Sequence, residues 1–416
     1  MEMKKCKLGE LMEVTRGMSL SGVFYATEGN LMRLTLGNFD YRNNCFKDDK
    51  SKENLFFIGD VKEEFVLKKD DIITPLTEQA IGLLGSTAKI PCDDKYIQSQ
   101  DVALIKCNEK LHPDFAFYLI PSKLVRNQLS AAAQQTKIRH TSPDKIKNCI
   151  VWIPEYSLQE RIGKLLSSLD NKIALNKKIN AKLEAMAKRL YDYWFVQFDY
   201  PDKNGKPYKT SGGKMVWNEV LKREIPEGWE VGNLYEIADY INGLACQNYR
   251  PQDEEIFLPV IKIKEMHEGI TSDTEKVSAT IPEKYIIFDG DILFSWSATL
   301  EVMIWTGGKG GLNQHIFKVV PKSYFTKEYV FQQLSSYIVN FQKMAEARNT
   351  TMGHITSDHI NQSRIVIPPK EVINAFSEKT LPIFNYQLTI QKEIQKLTDL
   401  RDRLLPLLMN GQVEVE

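Results

Sequence analysis

Two segments of this sequence contain residues of the types that catalysis uses. Asp144, Asp170 and Lys172 match a loose pattern of two acids and a lysine, which nucleases use around metal ions. Residues 307–311 are rich in glycine but lack the Gly-Lys-Ser/Thr sequence of a phosphate-binding loop, so a tight or mobile turn is favoured. The sequence shows no Ser-His-Asp arrangement and no pair of glutamates placed for acid-base chemistry. We therefore predict no catalytic residue and no metal ligand.

The second acid of that pattern lies within a long amphipathic segment, residues 157 to about 197. Apolar residues recur there at intervals of mostly three and four, as in a coiled-coil seam: Ile162, Leu165, Leu169, Ile173, Ile179, Leu183, Met186, Leu190 and Trp194. At 1.5 Å per residue, about 40 helical residues extend over roughly 60 Å. Asp170 is then far along the helix from Asp144, which disfavours a nuclease site.

Polar residues stand at two informative positions of this predicted helix, its start and its apolar seam. Ser157 is a candidate N-cap, with Glu160 three residues later as its capping-box partner. Asn176 occupies a position in the apolar seam. Two interpretations of Asn176 stay open: it fixes the register or the partner at some cost in stability, or it lies at a hydrated edge of the seam.

The sequence around the helix occurs twice. Four residues of the first half return in the second at a constant offset, for example 354 − 140 = 214: His140 and His354, Asp144 and Asp358, Ile146 and Ile360, Pro154 and Pro368. Solenoid repeats are shorter, ~20–50 residues. We therefore predict two copies of one globular domain, each followed by a helix. Three further pairs of segments support this: 7–11 with 230–234, 70–73 with 290–293, and 98–102 with 312–316.

Composition excludes several classes of protein. The 416 residues are 43% hydrophobic and 26% charged, which is ordinary for a globular chain of more than one domain. No apolar run approaches the ~20 residues of a membrane span, and the start of the chain has no signal-peptide core, so we expect a cytoplasmic location without membrane association. The six cysteines form no Cys-x-x-Cys pair, which favours free thiols over zinc.

The formal net charge is zero, with 54 basic and 54 acidic residues. A protein that holds nucleic acid alone by bulk electrostatics is usually basic. If DNA is the partner, other subunits must supply part of the positive charge.

The first copy is expected to be α/β in character. Short β-type runs lie at 65–67, 71–74 and 102–105, and a helix is predicted from Pro113 to Leu129. Its candidate buried residues are Phe115, Phe117, Tyr118, Leu119, Leu124 and Val125. Residues 198–228 are rich in Pro, Gly, Asp and Asn and are predicted to be a polar connector.

The second long helix is predicted over 371–416. Its seam contains Leu388, Ile394, Leu397, Leu404 and Leu408. Pro382 is expected to start or kink it, Pro406 to disturb its last turns, and Gly411 to end it. The predicted boundaries are 1–155 for the first domain, 156–198 for the central helix, 199–228 for the linker, 229–370 for the second domain and 371–416 for the last helix.

Three features of the sequence are informative together. The first combines the segment 190–196 with the connector segments 205–209 and 225–229. The second is the tail 400–411. The third is the Ile-Pro pair before each long helix, at 153–154 and 367–368. Together they closely resemble the specificity (S) subunit of type I restriction-modification systems, and the resemblance extends over the whole chain. The family often continues with Pro-Pro-Leu-x-Glu-Gln there, whereas this chain has Pro154-Glu155-Tyr156 and Pro368-Pro369-Lys370.

The resemblance implies an α/β (α+β) fold with a pseudo-two-fold internal repeat: two target-recognition domains separated by two long antiparallel coiled-coil helices. Each domain would recognise one half of a bipartite sequence in double-stranded DNA. The helices would set the spacer and bind two methyltransferase (M) subunits, and motor-nuclease (R) subunits would join for cleavage. This chain would need no cofactor, because S-adenosylmethionine would bind the methyltransferase, which modifies adenine.

Residues that recognise bases are polar side chains on loops that reach the DNA grooves. In the first copy the candidates are Arg16, Ser19, Arg33, Asn38, Tyr41, Arg42, Gln79, Gln134, Gln135, Lys137, Arg139 and His140. In the second copy they are Asn242, Gln247, Asn248, Tyr249, Arg250, Lys262, Lys264, Trp296, Arg348, Asn349, Thr350 and His354. For each of them a solvated or structural role stays open, and the two histidines could serve as internal hydrogen-bond partners.

The leading hypothesis is therefore a DNA-specificity subunit without catalytic activity. The alternative from another class is a coiled-coil interaction scaffold with two α/β modules that does not bind DNA. These differ in whether a preferred duplex sequence exists. The target sequence itself depends on loop conformation and on how the duplex deforms.

Overall fold

The computed structural model describes residues 2–41, 43–49, 51–78, 82–132, 139–297, 299–346 and 355–415. Contacts divide the chain into two compact units. Unit 1 comprises residues 1–173 and 397–416, and unit 2 comprises residues 174–396. Each unit contains one copy of the repeat and a part of each long helix.

Unit 1 is a mixed α and β structure built from short strands. The strands are β1 Lys4–Lys7, β2 Met12–Arg16, β3 Tyr25–Ala26, β4 Leu31–Arg33, β5 Phe39–Asp40, β6 Cys45–Phe46, β7 Phe56–Phe57, β8 Ile72–Pro75, β9 Thr77–Glu78, β10 Ala88–Lys89, β11 Tyr96–Ile97, β12 Val102–Cys107, β13 Arg139–His140 and β14 Ile150–Ile153. The helices are α1 Pro113–Leu119, α2 Lys123–Ala132 and α3 Pro143–Lys147, followed by the start of α4 Tyr156–Tyr191.

Two four-stranded sheets form the framework of unit 1. One has the order β10-β8-β12-β2, and the other has the order β11-β4-β7-β3, with β11 parallel to β4. β1 pairs with β14 in a separate antiparallel ladder, so the start of the chain returns to the strand that precedes α4. The main core includes residues of β2, β12, α1 and α2, the start of α4 and, from the end of the chain, Leu408 and Met409.

Unit 2 contains the second copy and the connector before it. Its strands are β15 Met215–Asn218, β16 Arg223–Pro226, β17 Glu230–Gly232, β18 Ala238–Asn242, β19 Phe257–Ile261, β20 Lys276–Ser278, β21 Ile286–Ile287, β22 Ile292–Ser295, β23 Glu301–Ile304, β24 Gly310–Leu312, β25 Ile316–Pro321 and β26 Ile365–Ile367. Its helices are α5 Leu234–Ile237, α6 Ile263–Glu268, α7 Lys327–Glu346, α8 Ser357–Asn361 and most of α9 Lys370–Met409.

The two units share one sheet topology, which confirms the predicted internal repeat. The order β10-β8-β12-β2 in unit 1 corresponds to β23-β22-β25-β18 in unit 2. The registers agree as well: Val102 pairs with Pro75, and Ile316, which is 214 positions after Val102 (316 − 102 = 214), pairs with Ser295. Likewise the β1 and β14 ladder corresponds to that of β17 and β26.

The helix after β12 differs between the copies. In unit 2, α7 is continuous, whereas the equivalent segment of unit 1 is divided into α1 and α2 around Pro121. Proline has no backbone N–H and clashes with the preceding turn of a helix, so a break is expected there. Ser335 occupies the equivalent position of α7 (335 − 121 = 214) and permits continuity. The prediction of one helix from Pro113 to Leu129 was therefore wrong.

Other local predictions in unit 1 had mixed outcomes. Strands occur at Ile72–Pro75 and Val102–Cys107, as predicted, but residues 65–67 form only an isolated bridge between Val66 and Ile97. Leu67 is nevertheless buried, because an apolar run predicts burial better than it predicts strand pairing. Leu124, predicted to be buried, is 38% exposed.

The first long helix begins one residue before the predicted N-cap. The Glu155 carbonyl already accepts hydrogen bonds from the N–H groups of Leu158 and Gln159, so α4 starts at Tyr156 and Ser157 lies inside it. The helix ends in a π-helical turn, Asp192–Val196. Its predicted seam is buried or half-buried except for Met186, which is 59% exposed.

The second long helix passes through both of its prolines. Pro382 and Pro406 are both exposed, so solvent can hydrate the carbonyl groups that lose a partner, and α9 is continuous across them. Its end is a Schellman motif at Gly411, which has a φ of 70°. The N–H of Gln412 donates to the Leu407 carbonyl over 2.8 Å. The last helical residue is Met409, and Gly411 provides the left-handed residue that terminates the helix, as predicted.

Residues 199–228, predicted as a polar connector, are held by aromatic packing and a hairpin. Tyr200 stacks on Tyr208 with ring centroids 4.8 Å apart, and Trp229 lies 5.0 Å from Tyr200. β15 and β16 pair in an antiparallel hairpin, in which Trp217 is 55% exposed. The contact between Tyr200 and Trp229 joins residues 29 positions apart (229 − 200 = 29), so local composition gave no sign of it.

Asn176 is buried in the helix seam of unit 2, with only 2% of its surface exposed, so the interpretation as a hydrated edge was wrong. Its side-chain nitrogen has no hydrogen-bond partner within the described part of the chain. Buried side-chain oxygens of Asn180 and Gln391 are in the same situation. A buried amide without a partner lowers stability, so Asn176 is an unfavourable residue within the seam.

Replacing Asn176 with leucine is expected to stabilise unit 2. The substitution removes the desolvation penalty of the unpaired amide and adds apolar contact, which together are worth about 1–3 kcal/mol. Denaturant unfolding, with Asn171→Leu on an exposed face of the same helix as the control, measures this effect. A lower free energy of unfolding for Asn176→Leu would show that the amide makes favourable contacts in the seam.

The described residues contain no helix long and apolar enough to cross a membrane. All six cysteines are free thiols. Burial raises the pKa of the Cys107, Cys149 and Cys246 thiols to about 11, which keeps them protonated and unreactive near neutral pH.

Candidate nucleic-acid interface

In unit 1, the ends of several strands bring polar side chains together at one edge of the sheet. β2 ends at Arg16, β12 begins just after Asp101, and β9 pairs with β13 in the register Arg139 to Glu78 and His140 to Thr77. The edge is closed by the N–H of Leu76, which donates to the Asp101 carbonyl. We call this group the first polar edge: Arg16, Thr77, Glu78, Gln100, Asp101, Arg139 and His140.

Hydrogen bonds orient the side chains of the first polar edge. Arg16 Nε donates to the Gln100 carbonyl over 2.9 Å. Thr77 Oγ1 donates to Asp101 Oδ1 over 3.0 Å and lies 3.2 Å from His140 Nδ1. Since the single Thr77 proton is directed at Asp101, Nδ1 of His140 is the donor to Thr77. The exposed Nε2 of a neutral His140 is then an acceptor.

Glu78 binds the backbone of residues 82–84 beside the edge. Its buried carboxylate accepts hydrogen bonds from the N–H groups of Gly82, Leu83 and Leu84 over 2.7–3.3 Å. Arg139 lies 3.6 Å from the same carboxylate, and its side chain is 39% exposed. Arg139 is therefore held by Glu78 at one side and can present N–H groups to solvent at the other.

The equivalent strand ends of unit 2 form a second polar edge, which we define as Asn242, Trp296, Gln314 and His315. Trp296 Nε1 donates to Asn242 Oδ1 over 3.1 Å, and the Trp296 and His315 rings lie 5.6 Å apart. The backbone pattern repeats that of unit 1. The Trp296 N–H donates to the His315 carbonyl, as Leu76 does to Asp101, and the Ile355 N–H donates to Trp296, as Thr141 does to Leu76.

A cavity of about 420 Å³ adjoins the first polar edge through Ser99, Gln100 and Asp101. Asp49 lies in its wall and accepts hydrogen bonds from the Thr35 and Ser51 hydroxyls, both over 2.5 Å. Burial alone would raise the Asp49 pKa, but the hydroxyl donors outweigh it and hold that pKa below its ordinary value. Asp49 therefore contributes a negative charge to a wall that also contains Arg33, Lys47 and Lys52.

Two of the residues predicted to recognise bases are buried and form hydrogen bonds within the protein. Arg33 is 8% exposed, lies 4.0 Å over the Tyr25 ring and donates to the Asn54 carbonyl. Asn38 is 4% exposed, accepts from the Thr35 N–H and donates to the Lys47 carbonyl.

The other described candidates lie at or near the surface. Ser19 is exposed, and Tyr41 is half-buried in the wall of the cavity. In unit 2, residues 247–250 and Lys264 are exposed. Lys262 donates to Glu275 over 2.5 Å, and this hydrogen bond holds the Glu275 pKa below its usual value. The remaining candidates lie outside the described residues: Arg42, Gln79, Gln134, Gln135, Lys137, Arg348, Asn349, Thr350 and His354.

Sequence analysis missed several residues that the fold places at these edges. Thr77, Glu78, Gln100 and Asp101 lie at the first, and Gln314 and His315 lie at the second. A signal was present, because residues 98–102 and 312–316 were already paired as a repeat. The one identical residue in those two segments is the glutamine at positions 100 and 314.

The acid and lysine pattern considered for a nuclease is not assembled as a site. Asp170 accepts hydrogen bonds from the Tyr118 hydroxyl over 2.6 Å and from Arg401 over 2.9 Å, which ties the first domain to both long helices within unit 1. Asp144 instead pairs with Lys147 on α3. No cluster of three or more metal-ligating residues occurs among the residues described.

The glycine-rich segment 307–311 forms a turn that leads into β24, as predicted. Gly308 has a φ of 81°, and its carbonyl accepts a hydrogen bond from Trp305 Nε1 over 2.6 Å. The N–H of Gly308 donates to Asp289, which closes the turn onto the protein itself.

Comparison with known families gives one family that matches two separate segments, which together cover most of the chain. The family described as "Type I restriction modification DNA specificity domain" matches residues 2–185 and again residues 226–400. These two matches contain the two copies of the repeat, each with most of the long helix that follows it.

Individual relatives are distant but extend over most of this chain. The type I restriction enzyme HindI specificity subunit of Haemophilus influenzae is 25% identical over 375 residues, with 77% of this chain and 82% of that subunit covered. The MjaIX specificity subunit of Methanocaldococcus jannaschii is 24% identical over 315 residues, with 73% and 69% covered. The crystal structure of a type I restriction-modification S subunit from M. genitalium superimposes with a TM-score of 0.62 at 13% identity, over 98% of this chain and 96% of that one.

Proposed function

The chain belongs to the family of type I restriction-modification DNA specificity proteins, and on this premise we propose that its two polar edges each contact one half of a bipartite DNA target. The observation that supports the proposal most strongly is the repeat of one sheet edge with different side chains. The backbone hydrogen bonds of the two edges are equivalent, yet one edge presents Arg16 and Asp101 where the other presents Asn242 and His315. A shared frame with different polar groups suits recognition of two different half-sites.

The exposed groups of both edges have the chemistry that base recognition requires. Arginine, glutamine and asparagine side chains form paired hydrogen bonds with base edges in the major groove. Arg16, Gln100 and Asn242 are exposed, and Arg139 and Gln314 are half-buried. The exposed residues 247–250 follow closely after Asn242 and add further donors near the second edge. Arg33 and Asn38 would act indirectly, by shaping the cavity beside the first edge.

The partners follow from the charge of the chain and from its long helices. Because the formal net charge is zero, methyltransferase subunits would supply most of the contacts to DNA phosphates. Two such subunits would bind the helices and carry S-adenosylmethionine, and motor-nuclease subunits would join for cleavage. This chain would supply sequence recognition and no catalysis, and the complex would act on DNA in the cytoplasm.

The long helices would set the spacing between the half-sites. Two recognition elements on a rigid connection bind DNA only where their half-sites have a matching separation and rotation about the duplex. α4 contains 36 residues and α9 contains 40, and each contributes to both units. The scaffold alternative is not favoured, because the family match covers both domains.

The test is base-resolution mapping of adenine methylation in host DNA. The chain is co-expressed with its cognate methyltransferase, and the methyltransferase alone serves as the control. We expect a split motif with a fixed gap that appears only when the chain is present. Identical methylation with and without the chain, in a complex shown to assemble and to be active, would refute the proposal.

A further inference from the structure

Both units contain the same tight crossing between a glycine and a turn at the polar edge. In unit 1, the N–H of Gly17 donates to the Val102 carbonyl, and the N–H of Met18 donates to the Gln98 carbonyl. In unit 2, the N–H of Gly243 donates to the Ile316 carbonyl, and the N–H of Leu244 donates to the Leu312 carbonyl. Parallel bridges, Met18 with Ser99 and Leu244 with Asn313, complete each crossing. We call these crossings the first and second brace.

Glycine is required at each crossing by the closeness of the two backbones. A Cβ atom on Gly17 would lie under 3.0 Å from the carbonyl oxygens of Gln98 and Ser99. A Cβ atom on Gly243 would lie equally close to the carbonyl oxygens of Leu312 and Asn313. The absence of a side chain therefore lets the strand end lie directly against the turn, which is a recurrent structural use of glycine.

Each brace fixes the backbone on both sides of one glutamine. Before Gln100, the Gln98 carbonyl is bound by Met18, and after it the Asp101 carbonyl is bound by Leu76. In unit 2, the Leu312 carbonyl is bound by Leu244 and the His315 carbonyl by Trp296, with Gln314 between them. The N–H of Gln314 also donates to the Leu244 carbonyl over 2.8 Å.

The two glutamines are placed to contact a ligand outside the protein. Gln100 is exposed and Gln314 is half-buried. Among the described residues, the Gln314 amide has one hydrogen-bond neighbour, the adjacent His315, with 3.4 Å between the two nitrogens. A fixed backbone limits the entropy lost on binding to that of the glutamine side chain, whose amide can pair with N6 and N7 of adenine in the major groove.

We propose that Gln100 and Gln314 are matched base-recognition residues, each of which contacts one adenine in its own half-site. This inference rests on the proposed function and deepens it. The residue after each glutamine differs: the Asp101 carboxylate is an acceptor, whereas the His315 imidazole lies against Trp296. We therefore expect the two half-sites to share an adenine at the position that the glutamine contacts. They should differ at the neighbouring base pair, which the following residue contacts.

The test compares Gln100→Ala and Gln314→Ala, each co-expressed with the cognate methyltransferase, by base-resolution adenine methylation. A paired amide contact distinguishes bases by about 10- to 100-fold, so each variant should lose that discrimination at one position of one half-site. The other half-site and the gap should stay unchanged. Gln412→Ala and Gln197→Ala replace exposed glutamines that belong to neither edge and serve as matched controls.

The exchange variant Asp101→His with His315→Asp adds a second measurement. We expect it to alter the preferred base next to the adenine that the glutamine contacts, in both half-sites, while the preference for that adenine is unchanged. An unchanged motif in the single variants, or an equal loss at every position, would overturn the inference and leave the proposed function intact. If no motif depended on the wild-type chain, the proposed function itself would fail.

Discussion

Replacing Phe376 with alanine is expected to destabilise unit 2 by about 3–5 kcal/mol. Phe376 lies near the start of α9 and is fully buried. Its ring lies 6.3 Å from Tyr191, 5.7 Å from Trp194 and 4.9 Å from Phe195, so it joins the start of α9 to the end of α4. Truncation would leave a cavity among rigid rings that cannot close around it, and such sites have the largest cost.

Intrinsic fluorescence is a suitable measurement, because every tryptophan except Trp152 belongs to unit 2. The control is Tyr386→Ala on the same helix, where the side chain is 50% exposed and the expected change is within about 0.5 kcal/mol. If both variants unfolded at the denaturant concentration of the wild type, the aromatic cluster would not be the element that holds the helices to unit 2.

The features that could be predicted from the sequence are those with a local or repeated signal. The repeat could be recognised because identical residues, such as His140 and His354, recur at one constant offset. The long helices were legible because apolar residues recur every three or four positions. Errors arose where one residue overrides the local pattern, as Pro121 does by dividing a helix whose apolar spacing is otherwise continuous.

Contacts between distant segments account for most of what the sequence did not reveal. The connector was predicted only as a polar linker, but Tyr200, Tyr208 and Trp229 pack together over nearly thirty residues of chain. Asn176 could not be assigned as buried or hydrated until its surroundings in the fold were known. Polarity predicted Arg33 as a surface donor, whereas its place over the Tyr25 ring depends on pairing between short strands.

The general location of the candidate site could be predicted from the sequence, but several of its residues could not. The polar segments before His140 and His354 lie outside the described residues, so their role as equivalent recognition loops stays a prediction. Gln100 and Gln314 were not selected although they are the one identical residue of two segments already paired as a repeat, because polarity alone does not distinguish a glutamine beside a strand from other surface residues. Its position becomes meaningful only when the glycine crossing and the backbone bonds on either side are known.

That crossing leads to the second large effect: Gly243→Ala is expected to abolish recognition of one half-site while unit 1 keeps its stability. The added methyl group would lie under 3.0 Å from backbone oxygens of Leu312 and Asn313, and backbone cannot rotate away as a side chain can. Overpacking of this kind costs about 1–3 kcal/mol, or more where the backbone must move. Separation of the strand end from the turn would also release Gln314.

Gly17→Ala is expected to have the mirror effect on the first brace, since its Cβ would meet the carbonyl oxygens of Gln98 and Ser99. Gly22→Ala is the matched control, because a Cβ there would meet only the Tyr25 ring at an ordinary distance of 3.9 Å. Adenine methylation mapped for the three variants should show loss of one half-site with Gly17→Ala, loss of the other with Gly243→Ala, and the wild-type motif with Gly22→Ala. Because the two braces belong to different units, a defect of both half-sites in either single variant would mean that the glycines stabilise the whole chain and do not position separate recognition residues.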